Sequence, residues 1–255
     1  MSGEIEYKHN SQSATRDSSN LNMDITLLQD LIGEKKIRIC ELMCGTGRMT
    51  IPLALDGHSV TGIEIQEAFA NIAREELVHS GSNATIQIAD VAKNSWGTEY
   101  DLVIVGRDSL LELGTALEQE RIISTAFASL KEEGFIFIDN TNIEEVSSLQ
   151  PPTLECVGSV TEHSSLCFKT EGIKFNKKKK RLSYRYSLYK NTRQGKERIQ
   201  SVNRNSYLVS SAEIQYWLTR HGFEIIHKYC DYEGRPYHRG ADRVVFWAKK
   251  PKTIK

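Results

Sequence analysis

No apolar run in this chain approaches the ~20 residues that a membrane-spanning helix requires. Residues 11–20 are polar where a secretory leader would be apolar. The protein is therefore expected in the cytoplasm, with no membrane partner. Cysteine is sparse and unpatterned: Cys40, Cys44, Cys156, Cys167 and Cys230 form no C-x-x-C pair and have no histidine at zinc-ligand spacing. That argues against a disulfide framework and against a metal site, and small structural thiols are the expectation. Neither sign of charge prevails, since 33 Lys and Arg face 33 Asp and Glu. Such a balance speaks against a polyanion-binding protein and for a neutral or small partner.

What the chain does have is enough length for one core. Its 255 residues fit a single α/β domain over 1–255, near the upper size for one core, that buries about 75% of its unfolded surface. Hydrophobic residues make up 39% and charged residues 26%, a globular rather than disordered composition. After a polar segment at 1–22, Ile25, Leu28, Leu31 and Ile32 recur at helical spacing, with Asp24 as the expected cap and Gly33 as the stop. Residues 37–42 read as a buried strand, 43–47 as a glycine turn and 50–55 as a helix. Strands at 60–63, 84–89, 101–105 and 135–139 then alternate with helices, one carrying Phe69, Ile72, Ala73 and Leu77, another Ile122, Ile123, Ala126, Phe127 and Leu130 and closed by Gly134. The alternation predicts a parallel sheet with right-handed crossovers.

From residue 151 the texture changes to alternating segments at 156–170, 173–176, 182–189 and 198–209, expected as antiparallel strands. Ser210 and Glu213 then form a capping box for a helix, and strands at 224–229 and 243–248 return to the main sheet. The expected fold is α/β: a Rossmann-like, seven-stranded, mostly parallel sheet with helices on both faces, plus an antiparallel insertion over 151–209.

The chemistry is carried by the segment Glu41-Leu42-Met43-Cys44-Gly45-Thr46-Gly47-Arg48, a glycine turn directly after a strand. Glycines there let backbone N–H groups approach a ligand. A dinucleotide fingerprint wants G-x-G-x-x-G, and its third glycine is Thr50 here. Acids end successive strands instead: Glu41 the first, Glu64 the second, Asp90 the third. Open α/β sheets bind ligands at those strand ends. A carboxylate on the second can accept two ribose hydroxyls, the third-strand Asp an adenine amino group, and Glu41 the ammonium of an amino acid.

ELMCGTGR and GIEIQ resemble the first two motifs of the class I S-adenosylmethionine-dependent methyltransferases, over roughly 35–140. The resemblance implies S-adenosyl-L-methionine as cofactor, contacted by Glu41, Met43, Gly45, Gly47, Glu64, Ile65, Asp90 and Val91, with Ile65 and Val91 packing near the adenine. Met43 stands where the family usually has glycine. The segment Val105-Gly106-Arg107-Asp108-Ser109-Leu110 would face the transferred methyl, with Arg107 on the cofactor side and Asp108 orienting a substrate amine. A local ion pair or cap is the structural counter-reading for Arg107 and Asp108, as pairing on the first helix is for Arg48. His163 and His238 are further candidate proton acceptors, and Tyr7 a candidate lid residue in the 1–22 segment.

The insertion is similar to the antiparallel cover of small-molecule N-methyltransferases, which roofs the acceptor and can build a homodimer. Tyr184 and Tyr186 alternate with Arg185 there, for the pocket or for packing. The basic run 177–181 lies between strand-like segments without a stacking platform, so a solvated hairpin tip outweighs a nucleic-acid surface. The expected function is methyl transfer to a small molecule, at an amine nitrogen in preference to a hydroxyl. The alternatives are RNA or protein methylation and a non-catalytic cofactor-binding module.

Overall fold

The computed structural model describes residues 5–6, 22–143, 155–158, 166–176, 178–192 and 194–252. In chain order these form β1 (Ile5–Glu6), α1 (Met23–Ile32), β2 (Arg38–Leu42), α2 (Thr50–Leu55), β3 (Ser59–Glu64), α3 (Glu67–Ser80), β4 (Thr85–Ile88) and β5 (Tyr100–Val105). A short 3-10 helix, Ser109–Glu112, leads into α4 (Ala116–Ser129) and β6 (Leu130–Thr141). β7 (Glu155–Gly158), β8 (Leu166–Asn176), β9 (Arg181–Thr192) and β10 (Gly195–Tyr207) follow, then α5 (Ser211–Arg220), β11 (Glu224–Tyr229) and β12 (Arg243–Lys249).

The main sheet runs β11-β12-β6-β5-β2-β3-β4. β6, β5, β2, β3 and β4 are mutually parallel, and β12 is antiparallel to both of its neighbours. The chain steps outward from β2 in both directions, so the turn after β2 stands at the point where strand order reverses and a crevice opens. Continuous apolar strands follow from cover on both faces. Val103 and Val105 of β5 pack with α4 and α5 side chains (Ile122, Ile123, Ile214, Trp217), while Leu102 and Ile104 pack with Ile25 and Leu28 of α1. Alternate residues of one strand thus belong to two cores.

The tightest layer lies under the glycine turn. A Cβ on Gly62 of β3 would stand 2.8 Å from Cys44 Sγ, 2.9 Å from Ile86 Cδ1 and 3.0 Å from Thr50 Oγ1. Gly62→Ala is expected to cost about 1–3 kcal/mol through overpacking, read as a lower urea midpoint with unchanged slope.

The second sheet is antiparallel throughout, in the order β1-β8-β9-β10 with β7 also paired to β8. It is sewn to the main domain just beyond β5: Tyr207 N donates to Leu113 O (2.9 Å), Arg181 Nη2 to Gly114 O (3.2 Å) and Gln119 Nε2 to Tyr207 O (2.8 Å). Leu188 of β9 packs on Phe69 of α3. The insertion therefore straddles the strand ends. Among the described residues, no helix is long and apolar enough to cross a membrane.

Several local expectations need correction. Residue 22, not Asp24, caps α1; Asp24 is buried and pairs with Arg48. α4 ends at Ser129, before Gly134; Glu133 takes the left-handed conformation (φ 64°), and a Cβ on Gly134 would sit 3.0 Å from Lys131 O. The single strand expected at 156–170 is a pair, β7 and β8. β8 in turn runs through Gly172, where a register shift between Glu171 and Lys174 and φ 62° mark a bulge rather than a break. The capping box of α5 forms as the sequence predicts. Lys180 at the basic tip is tied to Glu213 (3.0 Å), while Lys178 and Lys179 are exposed.

Candidate functional site

Each element of the crevice is set by local chemistry. Glu41, at the end of β2, is 5% exposed. Its carboxylate accepts from the Thr50 hydroxyl at the start of α2. Burial pushes its carboxyl up to about 7, against the Thr50 bond and the nearby Arg48. Met43 then adopts φ 55°, the left-handed region in which glycine is free. A methionine thus holds a left-handed conformation here, at a cost of roughly 1–2 kcal/mol. Cys44 N donates to Ile63 O (3.0 Å), stapling the turn to β3.

The two glycines of the turn serve different ends. Gly47 (φ 87°) has no room for a side chain, since its Cβ would meet Ile51 Cδ1 at 2.9 Å. Gly45 (φ 59°) faces open space, with nothing within 4 Å of that point. Gly45 N donates to Glu64 Oε2 (3.0 Å), and Gln66 N to Glu64 Oε1 (2.8 Å). Burial raises the Glu64 carboxyl, and those two N–H groups oppose the rise.

Next to Glu64, the Gln66 amide is 9% exposed, and neither its oxygen nor its nitrogen has a hydrogen-bond partner. Buried amides are normally satisfied, so this one has capacity for a polar ligand. Ile65 between them is 49% exposed, an apolar side chain at a strand end. Asp90 accepts from Ala92 N (3.0 Å) and pairs with Lys93 (2.9 Å); burial would raise its carboxyl, but these contacts hold it below the usual range. Val91 is buried in the main core beside Trp96. An open glycine backbone, carboxylates at successive strand ends, an unpartnered amide and an exposed apolar platform suit a nucleoside carrying an amino-acid tail. Arg48 is occupied by Asp24, its Nη atoms 2.9 and 2.5 Å from the carboxylate, in keeping with its structural reading.

Across the crevice, Arg107 (φ 42°) and Asp108 (φ 65°) are consecutive left-handed residues after β5. Such strain persists only where surroundings enforce it. Asp139, at the end of β6, does so: its carboxylate accepts from Arg107 N (3.2 Å) and its carbonyl from Asp108 N (2.9 Å). Arg243 of β12 bonds Asp139 through Nε (2.9 Å) and Nη2 (2.6 Å), and reaches Asp108 at 3.4 Å. Tyr232 OH donates to Asp139 Oδ2 (2.9 Å). Asp108 also accepts from Thr141 N, and although burial works against it, Arg243 holds its carboxyl below the ordinary carboxylate range. Asp108 thus pairs with a distant arginine rather than with its neighbour Arg107.

Sequence reasoning missed Asp139, Arg243, Tyr232 and Gln66, together with Glu112, Tyr184 and Arg204 as a group. Glu112 Oε2 lies 3.1 Å from Arg204 Nε, and the Tyr184 hydroxyl, which accepts from Ser206 Oγ (3.4 Å), is close enough to act on the Glu112 carboxyl. His238 is exposed in the loop between β11 and β12. His163 and Tyr7 lie outside the described residues, and so does most of the 1–22 segment.

Comparison with known proteins agrees with this fold. The family described as "Methyltransferase domain" matches residues 39–134. YqeM of Bacillus subtilis (strain 168), which carries a provisional methyltransferase name, is 29% identical over 117 residues, 46% of this chain and 47% of YqeM. The match thus spans about half of that relative's length. A crystal structure of an S-adenosylmethionine-dependent methyltransferase from Clostridium acetobutylicum ATCC 824 superposes with a TM-score of 0.72 at 14% identity, covering 94% of each chain. The sugar N-methyltransferase KedS8 from Streptoalloteichus sp ATCC 53650 superposes at 0.65 and 14% identity, over 97% of this chain and 96% of its own. At such identities the structures show a shared fold. Residues 39–134 thus match a methyltransferase domain, and the Rossmann-like sheet has the fold of S-adenosylmethionine-dependent methyltransferases.

Proposed function

We propose that the protein transfers a methyl group to the amine nitrogen of a small molecule. The observation that carries this reading is the antiparallel cover, sewn to residues 113–119 and lying over the transfer-side turn. A roof fixed so close to Asp108 suits an acceptor that fits beneath it better than a nucleic-acid track. The sugar N-methyltransferase KedS8 shares the layout along nearly its whole length, which supports a nitrogen acceptor.

When bound, the cofactor supplies a methyl group on a positively charged sulfur. Glu41, Met43, Gly45 and Gly47 would hold its amino-acid end, Glu64 its ribose, and Ile65, Asp90 and Val91 its adenine, with Arg107 beside the transfer turn. Asp108, kept ionised by Arg243, holds an amine-bearing acceptor by charge. Orienting the acceptor beside the cofactor supplies ~7–11 kcal/mol of the barrier reduction.

Methyl-labelled cofactor incubated with a pool of small amines and alcohols, with mass analysis of the products, tests the reading. Label only in hydroxyl compounds, or only in added RNA, would sink it. Glu64→Ala is expected to weaken S-adenosylhomocysteine binding by about 1.5–3 kcal/mol, the worth of a charged hydrogen bond. Calorimetric titration checks this, and an unchanged affinity would remove Glu64 from the ribose site.

A further inference from the structure

The geometry points to Glu112 as the carboxylate that binds the acceptor's ammonium group and takes its proton, with Tyr184 and Arg204 fixing it in place. This rests on the small-amine reading above and goes beyond it by naming the residue that takes the amine's proton, with Asp108 orienting the acceptor beside it. Glu112 closes the 3-10 helix that follows Asp108, whereas Tyr184 and Arg204 come from β9 and β10. Arg204 and Tyr184 stand directly opposite each other in the β9–β10 register, so both side chains project from one face of the cover. The group therefore exists only where the cover meets the strand ends.

Glu112 lies within reach of charges on both halves of the crevice. Its charge acts on Glu64, on the ribose side, and the charge of Asp108, on the transfer side, acts on Glu112. Arg204 likewise acts on Glu64. Although Glu112 Oε2 and Arg204 Nε are 3.1 Å apart, both atoms are buried and neither makes a well-directed hydrogen bond. The pair is held by charge, and the carboxylate keeps acceptor capacity for a further donor. The rest of the side chain is one-third exposed, which leaves a path for a ligand and for proton release.

The charged and titratable groups around Glu112 are Arg204 on β10, Tyr184 on β9, Asp108 on its own segment and Glu64 on β3. Burial raises its carboxyl, with Asp108 acting in the same sense and Arg204 and Tyr184 opposing. A raised carboxyl suits proton acceptance from an ammonium. The step balances: the ammonium gives one proton to Glu112, and the freed nitrogen lone pair forms the C–N bond. The methyl–sulfur bond of the sulfonium cofactor breaks with its electron pair going to sulfur. The product leaves as a methylated ammonium, and Glu112 returns its proton to solvent.

The test is a methyl-transfer assay on D-glucosamine, glycine, putrescine and 2-phenylethylamine, each beside its hydroxyl counterpart, with wild type, Glu112→Gln and Tyr184→Phe. The expected result is methylation of at least one amine by wild type. Glu112→Gln should lose at least a hundredfold in kcat/KM, with S-adenosylhomocysteine affinity within twofold of wild type. The acidic limb of the wild-type kcat/KM profile should vanish in Glu112→Gln. Tyr184→Phe should retain that limb with a several-fold higher KM. Undiminished turnover by Glu112→Gln, or a limb that survives in it, overturns the role of Glu112 and leaves the methyltransferase reading intact. Loss of cofactor affinity in Glu112→Gln overturns it in favour of a structural role. A wild type that binds S-adenosylhomocysteine but modifies no amine overturns the small-amine reading and this inference together.

Discussion

Replacing Arg243 by alanine is expected to destabilise the protein by about 3–5 kcal/mol at neutral pH, the usual result of leaving one partner of a buried ion pair alone. The Asp139 side chain is 0% exposed, and Arg243 supplies two of its hydrogen bonds. Asp108 loses the same partner. The pH dependence has a defined sign. Arg243 lowers the folded-state pKa of Asp108, so that contribution is present above the unfolded value of ~3.9 and fades as pH falls through the lower, folded one. Asp139 already lies above the ordinary carboxylate range because of burial, and without Arg243 it rises further. The deficit of Arg243→Ala is therefore largest where both carboxylates are ionised and shrinks as pH falls and Asp139, raised by burial, takes a proton. Arg243→Lys should recover only part of it, since an ammonium cannot reproduce the fork that spans two carboxylates. Equal urea midpoints for wild type and Arg243→Ala at pH 7 would refute the account.

Glu41→Gln is expected to act in the opposite direction on stability. The Glu41 carboxyl is raised from 4.5 to about 7 by burial, so between those values the folded state retains a proton that the unfolded chain has released. Its contribution is complete below about 4.5 and is lost as pH rises through about 7, roughly 3 kcal/mol in all at ~1.4 kcal/mol per pH unit. Glutamine keeps the shape and an acceptor for Thr50 but does not ionise. The variant should match wild type at pH 4.5 and exceed it by about 3 kcal/mol at pH 8, in unfolding measured without cofactor. Its S-adenosylhomocysteine affinity should fall, because the tail's ammonium loses a charged acceptor. A stability difference that does not change with pH would show that Glu41 ionises normally.

Much of the candidate cofactor half was legible because its signals are local. Glu41, Gly45 and Gly47 lie within seven positions, and strand–turn–helix order alone brings Glu64 and Asp90 to neighbouring strand ends. The turn at Arg107 and Asp108 was picked out from the sequence but its partners were not, because its bonds join residues far apart in the chain. Arg243 meets Asp108 from 135 positions away, and Arg204 of the cover meets Glu112 only through docking of the second sheet. Boundaries failed where one signal had two uses. Asp24 has the chemistry of a cap but pairs with a buried arginine, and Gly134 looked like a helix stop but is small because backbone passes close to it. Gly172 punctuates an alternating run yet marks a bulge inside one strand.

The left-handed pair at Arg107 and Asp108 has a consequence for the order in which the molecule is assembled. Two adjacent side-chain-bearing residues do not hold that conformation by themselves. It is enforced by Asp139, whose charge is balanced by Arg243 on the last described strand. During synthesis the glycine turn and its acids can therefore take shape on the growing sheet well before the opposite wall of the crevice does. A chain halted before β12 would hold the glycine-turn half of the crevice and lack the half built around Asp108.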